Sequence, residues 1–253
     1  CEGTSLDLSE NNVMTQLSRA YDESCDRSPG GGGDDAMATG YYVSWRGPVL
    51  EADDPFPGSA KEEDIIVRPG RVPARYVQEV LFLPERESPL DNEEIKRAIT
   101  EYGGISAAMW KGSPSTFGPY YNEDAFAWYY DQPSMNEEGN GHAVTIVGWD
   151  DAFAKERFKI TPPGDGAFIV RNTKGPEWGM TQGNDGMGGY FYISYYDGMF
   201  MTKLDSLIGN HVFSRVLETR PYDRIYQHDL LGYNYRLDLG ESPLADRGGS
   251  TTA

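Results

Sequence analysis

Gly141-His142-Ala143-Val144-Thr145-Ile146-Val147-Gly148-Trp149-Asp150 and Gly166-Ala167-Phe168-Ile169-Val170-Arg171-Asn172-Thr173-Lys174-Gly175-Pro176-Glu177-Trp178-Gly179 are two apolar, β-branched runs. Each carries one polar side chain at a run end, His142 in the first and Asn172 in the second. Val, Ile, Phe and Trp at these densities predict buried strands, Ala143–Trp149 and Ala167–Arg171. A strand end is a rigid mount, which an imidazole and an amide that orients it both require. Taken singly, His142 reads equally as a core or surface histidine, and Asn172 before Thr-Lys-Gly also suits a turn.

Working outward, a third strand is expected over Tyr190–Tyr195 and a turn or hairpin over Lys155–Asp165. Upstream, Asp91 is the expected N-cap of a helix through Ile95, Ile99 and Tyr102 that stops at Gly103-Gly104, with Glu93 and Glu94 favourable in its first turn. Ile105–Trp110 follows as a buried strand, and 111–140 is an aromatic loop region. Tyr76–Leu83 alternates as a strand should. Ser9 caps a short helix, residues 28–35 (Ser-Pro-Gly-Gly-Gly-Gly-Asp-Asp) are irregular, and Ala36–Trp45 is helical. No internal repeat is present.

The chain has 253 residues, 38% hydrophobic and 25% charged, and a net charge of -18. That length buries a full core, and the composition is globular. The acidity argues against non-specific nucleic-acid or anionic-membrane binding. No apolar run is long enough to span a bilayer, and no signal-like segment opens the chain, which reads as a mature or processed form or a fragment. Cys1 and Cys25, the only two cysteines, allow one disulfide or two free thiols. His142, His211 and His228 are the only histidines. His211 and His228 lie apart without partner ligands, so a metal-dependent hydrolase is poorly supported and no metal or other cofactor is expected. Gly30–Gly33 is not a phosphate loop, because no Lys-Ser/Thr follows it.

Together the motifs resemble those of papain-like cysteine peptidases. The segment around His142 resembles Asn/Asp-His-Ala-Val-x-x-Val-Gly-Tyr, and that around Asn172 resembles Val-Lys-Asn-Ser-Trp-Gly-x-x-Trp-Gly. Gly189-Tyr190-Phe191-Tyr192-Ile193 resembles the closing Gly-Tyr-x-x-Ile. Asn92–Ile99 with Gly104–Ala108 resembles the Ile-Lys-x-Ala-Leu helix and Gly-Pro-Val-Ser-Val-Ala strand. Leu8-Ser9-Glu10-Asn11 and Gly32-Gly33 resemble two earlier landmarks. The resemblance runs in order over about residues 6 to 197 and is strongest to bacterial members with an added C-terminal domain.

It implies an α+β fold of two lobes, a partial helical lobe and a lobe on a twisted antiparallel sheet, with an extended peptide bound between them. The expected organisation is 1–90, partial helical lobe and inter-lobe segment; 91–200, β-rich lobe with the catalytic residues; and 201–253, start of an accessory domain or a linker. His142 would be the general base and acid, and Asn172 would hold its ring. Gly32 and Gly33 would offer backbone groups to a peptide substrate. Ala108 and Ala143 would wall a roomy apolar pocket for the second residue before the cut. Trp178 would stand on the leaving-group side or serve as a core aromatic.

Three departures bear on activity. The Gln-x-x-x-Gly-x-Cys-Trp-Ala-Phe motif that carries the family's nucleophile does not occur, and with it goes the glutamine of the oxyanion hole. Cys1 lies too close to the Ser9 landmark, and Cys25 sits in the acidic Glu-Ser-Cys-Asp-Arg, which disfavours a thiolate. Lys174 stands where the family usually has a tryptophan over the His–Asn contact. The resulting expectation is a cysteine-type endopeptidase, secreted or at the cell surface, whose Cys lies upstream of this chain; the alternative is an inactive relative that binds peptides or cell-surface polymers. Alone, the chain is expected to be inactive and to expose part of its apolar face and aggregate.

Overall fold

The computed structural model describes residues 6–18, 27–59, 61–111, 118–134, 141–175, 177–178, 188–201, 210–222 and 224–225. Cys1, Cys25 and the stretch 226–253, with His228, lie outside them. Among the described residues two compact units are present, one within residues 80–214 and the other within residues 6–79 and 215–225.

The larger unit is built on an antiparallel core of strands. The elements in chain order are α1 (Glu10–Gln16), α2 (Asp35–Val43), β1 (Tyr76–Phe82), α3 (Glu93–Tyr102), β2 (Ile105–Trp110), β3 (Tyr121–Asn122), β4 (Ala127–Trp128), β5 (Gly141–Asp150), β6 (Ala167–Arg171), β7 (Tyr190–Ser194) and β8 (His211–Leu217). The sheet order is β1-β8-β2-β5-β6-β7-β4-β3; β4 pairs with β7 in parallel, whereas β2–β5, β2–β8, β3–β4, β5–β6 and β6–β7 are antiparallel. This is the expected α+β class.

Alternation along these strands decides which side chains enter the core. Ile105, Ala107 and Met109 of β2 lie opposite Ile146, Val144 and His142 of β5, and paired residues share a face. The first two pairs are buried with Val170, Phe191 and Ile193, and α3 adds Ile95, Ala98 and Ile99. On another cluster, Phe153, Phe158 and Tyr129 pack around Ala127 and Ala167. Gly166, which opens β6, has φ +106, and a Cβ there would lie 2.4 Å from the Tyr195 ring. Gly166→Ala is therefore expected to lose about 1–3 kcal/mol from backbone strain and overpacking, measured as a lower urea midpoint at unchanged m.

Several boundaries differ from expectation. The N-cap of α3 is Asn92 rather than Asp91, and its side chain makes no capping bond. Its amide instead donates to Pro89 O at 3.1 Å, while Asp91 Oδ2 accepts from Glu87 N at 3.0 Å. Both polar groups are drawn into the preceding turn. The aromatic region 111–140 contains the β3–β4 hairpin, whose strands of two residues are too short for periodicity to reveal. The segment 211–217 forms β8, with Ser106 opposite His211.

In the smaller unit Ser9 caps α1 as expected, accepting from Asn12 N at 2.9 Å. Asp34 caps α2, accepting from Met37 N at 2.8 Å, so that helix begins one residue before Ala36 and ends at Val43. Leu17, Met37 and Tyr41 form a small core between the helices. Asp54, fully buried, is a polar hub. Its Oδ1 accepts from Asn11 Nδ2 (2.6 Å) and from the Arg68 guanidinium (2.8 Å), and its Oδ2 accepts from Asn12 Nδ2 (2.7 Å).

Candidate active site

The two strands place His142 and Asn172 together by register. Thr145 of β5 lies opposite Arg171 of β6, so the next residue of the antiparallel pair, Asn172, falls opposite Val144. His142 is two residues further along β5 on the same face. Diagonal neighbours of this kind have backbones about 7–8 Å apart, within reach of an imidazole and a carboxamide. The contact is made: His142 Nε2 and Asn172 Oδ1 are 3.0 Å apart. His142 is half-buried and Asn172 is 3% exposed.

The bonding pattern fixes the tautomer. Asn172 Oδ1 also accepts from Thr173 N at 2.8 Å, which identifies that atom as the carbonyl oxygen. A carbonyl oxygen only accepts, so Nε2 of His142 must carry the proton and donate. Nδ1 of a neutral ring is then the free lone pair, the atom able to take a proton from a nucleophile. Asn172 is itself held, since its N–H donates to Gly189 O at 2.8 Å while Gly189 N donates to Trp178 O at 2.9 Å. Gly189 sits at φ +83, a left-handed conformation that glycine accommodates. Asn172 Nδ2 is buried and has no acceptor among the described residues.

Burial holds the His142 pKa below the ordinary imidazole value of 6.5; the hydrogen bond with Asn172 opposes this, while Lys111 and Lys174 push the same way as burial. Burial and the charge of Lys174 both lower the pKa of Lys111. His142 is expected to titrate below 6.5, and Lys174→Gln to raise its midpoint, followed by the imidazole signals in NMR. The sign for stability is that the unfolded chain takes up this proton first, so His142 costs stability as pH falls through 6.5 and nothing well above it.

Ala108 and Ala143 lie directly opposite each other on β2 and β5, on the face that His142 does not share. Ala108 is half-buried and Ala143 exposed. Trp178 packs against the main core, stacked on Tyr121 (6.3 Å between centroids) and edge-on to Phe191 (5.6 Å). Gly32 and Gly33 belong to the smaller unit. They are exposed and, with Val13, Leu17, Met37 and Arg27, line a cavity of about 380 Å³. Arg27 Nε donates to Gly32 O, and its NH1 to Leu17 O at 2.9 Å, tying the glycine loop to the end of α1. No cluster of three or more metal-ligating side chains occurs among the described residues. Sequence reasoning missed Lys111, whose charge the fold brings to bear on His142.

A model of the papain family of cysteine proteases matches residues 2–199, and the chain belongs to that family. Among solved structures it is similar to the cysteine protease and lectin-like domains of Cwp84, a surface layer associated protein of Clostridium difficile. That likeness is at 26% identity and a TM-score of 0.68, over 91% of this chain and 46% of the other. It is also similar to a clostridial Cwp84 variant after propeptide cleavage, at 26% identity and a TM-score of 0.70, over 92% of this chain and 52% of the other. The chain thus spans about half the length of the structures it matches. No curated protein matched it. Among the described residues no helix is long and apolar enough to cross a membrane.

Proposed function

We propose that the intact protein is a cysteine endopeptidase in which His142 is the general base and acid, Asn172 orients it, and the nucleophilic cysteine comes from a segment upstream of this chain. The observation that carries this reading is the 3.0 Å contact of His142 Nε2 with Asn172 Oδ1, which leaves Nδ1 free. Nδ1 accepts the thiol proton, and the thiolate sulfur adds to the scissile carbonyl carbon. The imidazolium returns the proton to the departing amine as the C–N bond breaks, leaving a thioester. Nδ1 then takes a proton from water, whose oxygen attacks the thioester carbonyl, and the thiol is re-formed as the new carboxylate leaves. Asn172 is neutral, so it orients the ring without adding a charge of its own.

In this reading Gly32 and Gly33 present backbone groups to an extended peptide, Ala108 and Ala143 wall a pocket for a substrate side chain, and Trp178 stands on the leaving-group side. Extracellular or cell-surface location is supported by the surface-layer association of the Cwp84 relative. The test is hydrolysis of a denatured protein by the full gene product: activity blocked by iodoacetamide supports the reading. The alternative, an inactive relative that binds peptides or cell-surface polymers, is favoured by Lys174 beside the pair. Peptide binding without hydrolysis would establish it.

A further inference from the structure

We infer that Arg27 is a positioning residue for peptide binding, its guanidinium holding the Gly30–Gly33 loop so that Gly33 presents a fixed N–H and C=O to an extended chain. The inference rests on the proposed peptide-binding role of Gly32 and Gly33, which both readings above share. It lies wholly within the smaller unit.

Four consecutive glycines lose much backbone freedom on ordering, and a segment that its ligand must order binds weakly. Here the loop is held from both sides. Arg27 Nε donates to Gly32 O, its NH2 to Pro29 O at 3.2 Å and its NH1 to Leu17 O at 2.9 Å. One planar group thus ties two loop carbonyls to the end of α1. On the far side Asp34, the residue after Gly33, is fixed as the cap of α2 by accepting from Met37 N. Within the loop Gly31 N donates to Ser28 O at 3.0 Å, and Gly32 takes φ +76.

The bond to Gly32 O has a directional consequence. Gly32 C=O and Gly33 N–H belong to one planar trans peptide unit and point in opposite directions. By drawing the carbonyl toward itself, Arg27 turns the Gly33 N–H away from the loop. Gly33 is exposed, and among the described residues neither its N–H nor its C=O is hydrogen-bonded. A residue with both groups available pairs with one residue of an extended peptide through two bonds, as in an antiparallel ladder. Lysine could not take the place of Arg27, because an ammonium is a point donor without a planar fork.

The test uses the full gene product, its nucleophile alkylated, and a fluorescent peptide series with one backbone N-methyl group moved along the chain. Affinity is read by anisotropy. In the parent one position is expected to cost about tenfold, marking the residue that pairs with Gly33. Arg27→Lys should weaken the unmodified peptide about tenfold and abolish the further cost at that position alone, leaving the other positions as they were. Unchanged affinity in Arg27→Lys, or a loss that adds in full at every position, would overturn the inference. Independently of how the variant folds, the Gly31–Gly33 amides of the free parent should show NMR order parameters of about 0.85, and values below about 0.6 would overturn it too. A parent that binds none of the peptides would overturn both readings and this inference with them. The expected binding pattern without hydrolysis by the unalkylated protein would overturn the endopeptidase reading and leave the role of Arg27 standing.

Discussion

His142→Ala in the full gene product is expected to lower kcat/KM for peptide hydrolysis by about 10³-fold or more, with the fold retained. In the proposed mechanism the substitution removes the lone pair at Nδ1, on which both proton transfers depend. The loss should fall mainly on kcat, because in that mechanism the imidazole acts on the reacting atoms and not on the bulk of the peptide. Asn172→Ala should cost less, about 10–10²-fold, since the ring keeps its basicity but loses the contact that aims it. Circular dichroism and urea melts separate these effects from unfolding. Parallel losses of activity and stability would assign His142 a packing role at the end of the β5 core face.

The second large effect concerns stability. Asp54→Ala is expected to destabilise the smaller unit by about 3–5 kcal/mol, because it strands buried polar groups that converge on one carboxylate. Asn11 and Asn12 would lose acceptors at 2.6 and 2.7 Å, and the Arg68 guanidinium its partner at 2.8 Å. For a chain of this size that corresponds to a fall in Tm of about 10 °C. Arg68→Ala should cost far less, about 1 kcal/mol, because its side chain keeps 22% exposure and solvent screens the pair. Similar effects for the two variants would show that the hub is held by packing around Asp54 rather than by its hydrogen bonds.

Much of this architecture is legible in the residues. The β-branched runs that form β5 and β6 mark strands, and the fold class and family follow from several ordered motifs. Ser9 signals the start of α1 because its hydroxyl has one nearby orphan amide to accept from. Other features depend on tertiary context. Asp91 and Asn92 are equivalent as caps on paper, and the turn 86–91 decides which of them begins α3. The strands Tyr121–Asn122 and Ala127–Trp128 each span a single alternation period, too little to show a pattern. His211–Leu217 shows no clean alternation and becomes a strand by pairing with β2. Lys111 and Lys174 are 63 residues apart and look like ordinary surface lysines until the fold brings the charge of each to bear on His142.

In the proposed function His142 and Asn172 serve a nucleophile supplied from outside these 253 residues. Its most direct measurement is to react the full gene product with a peptidyl epoxide and locate the modified residue by peptide mass spectrometry. One alkylated cysteine, upstream of Cys1, is expected, and its labelling should slow sharply in His142→Ala. Labelling of Cys1 or Cys25, or labelling indifferent to His142, would contradict it.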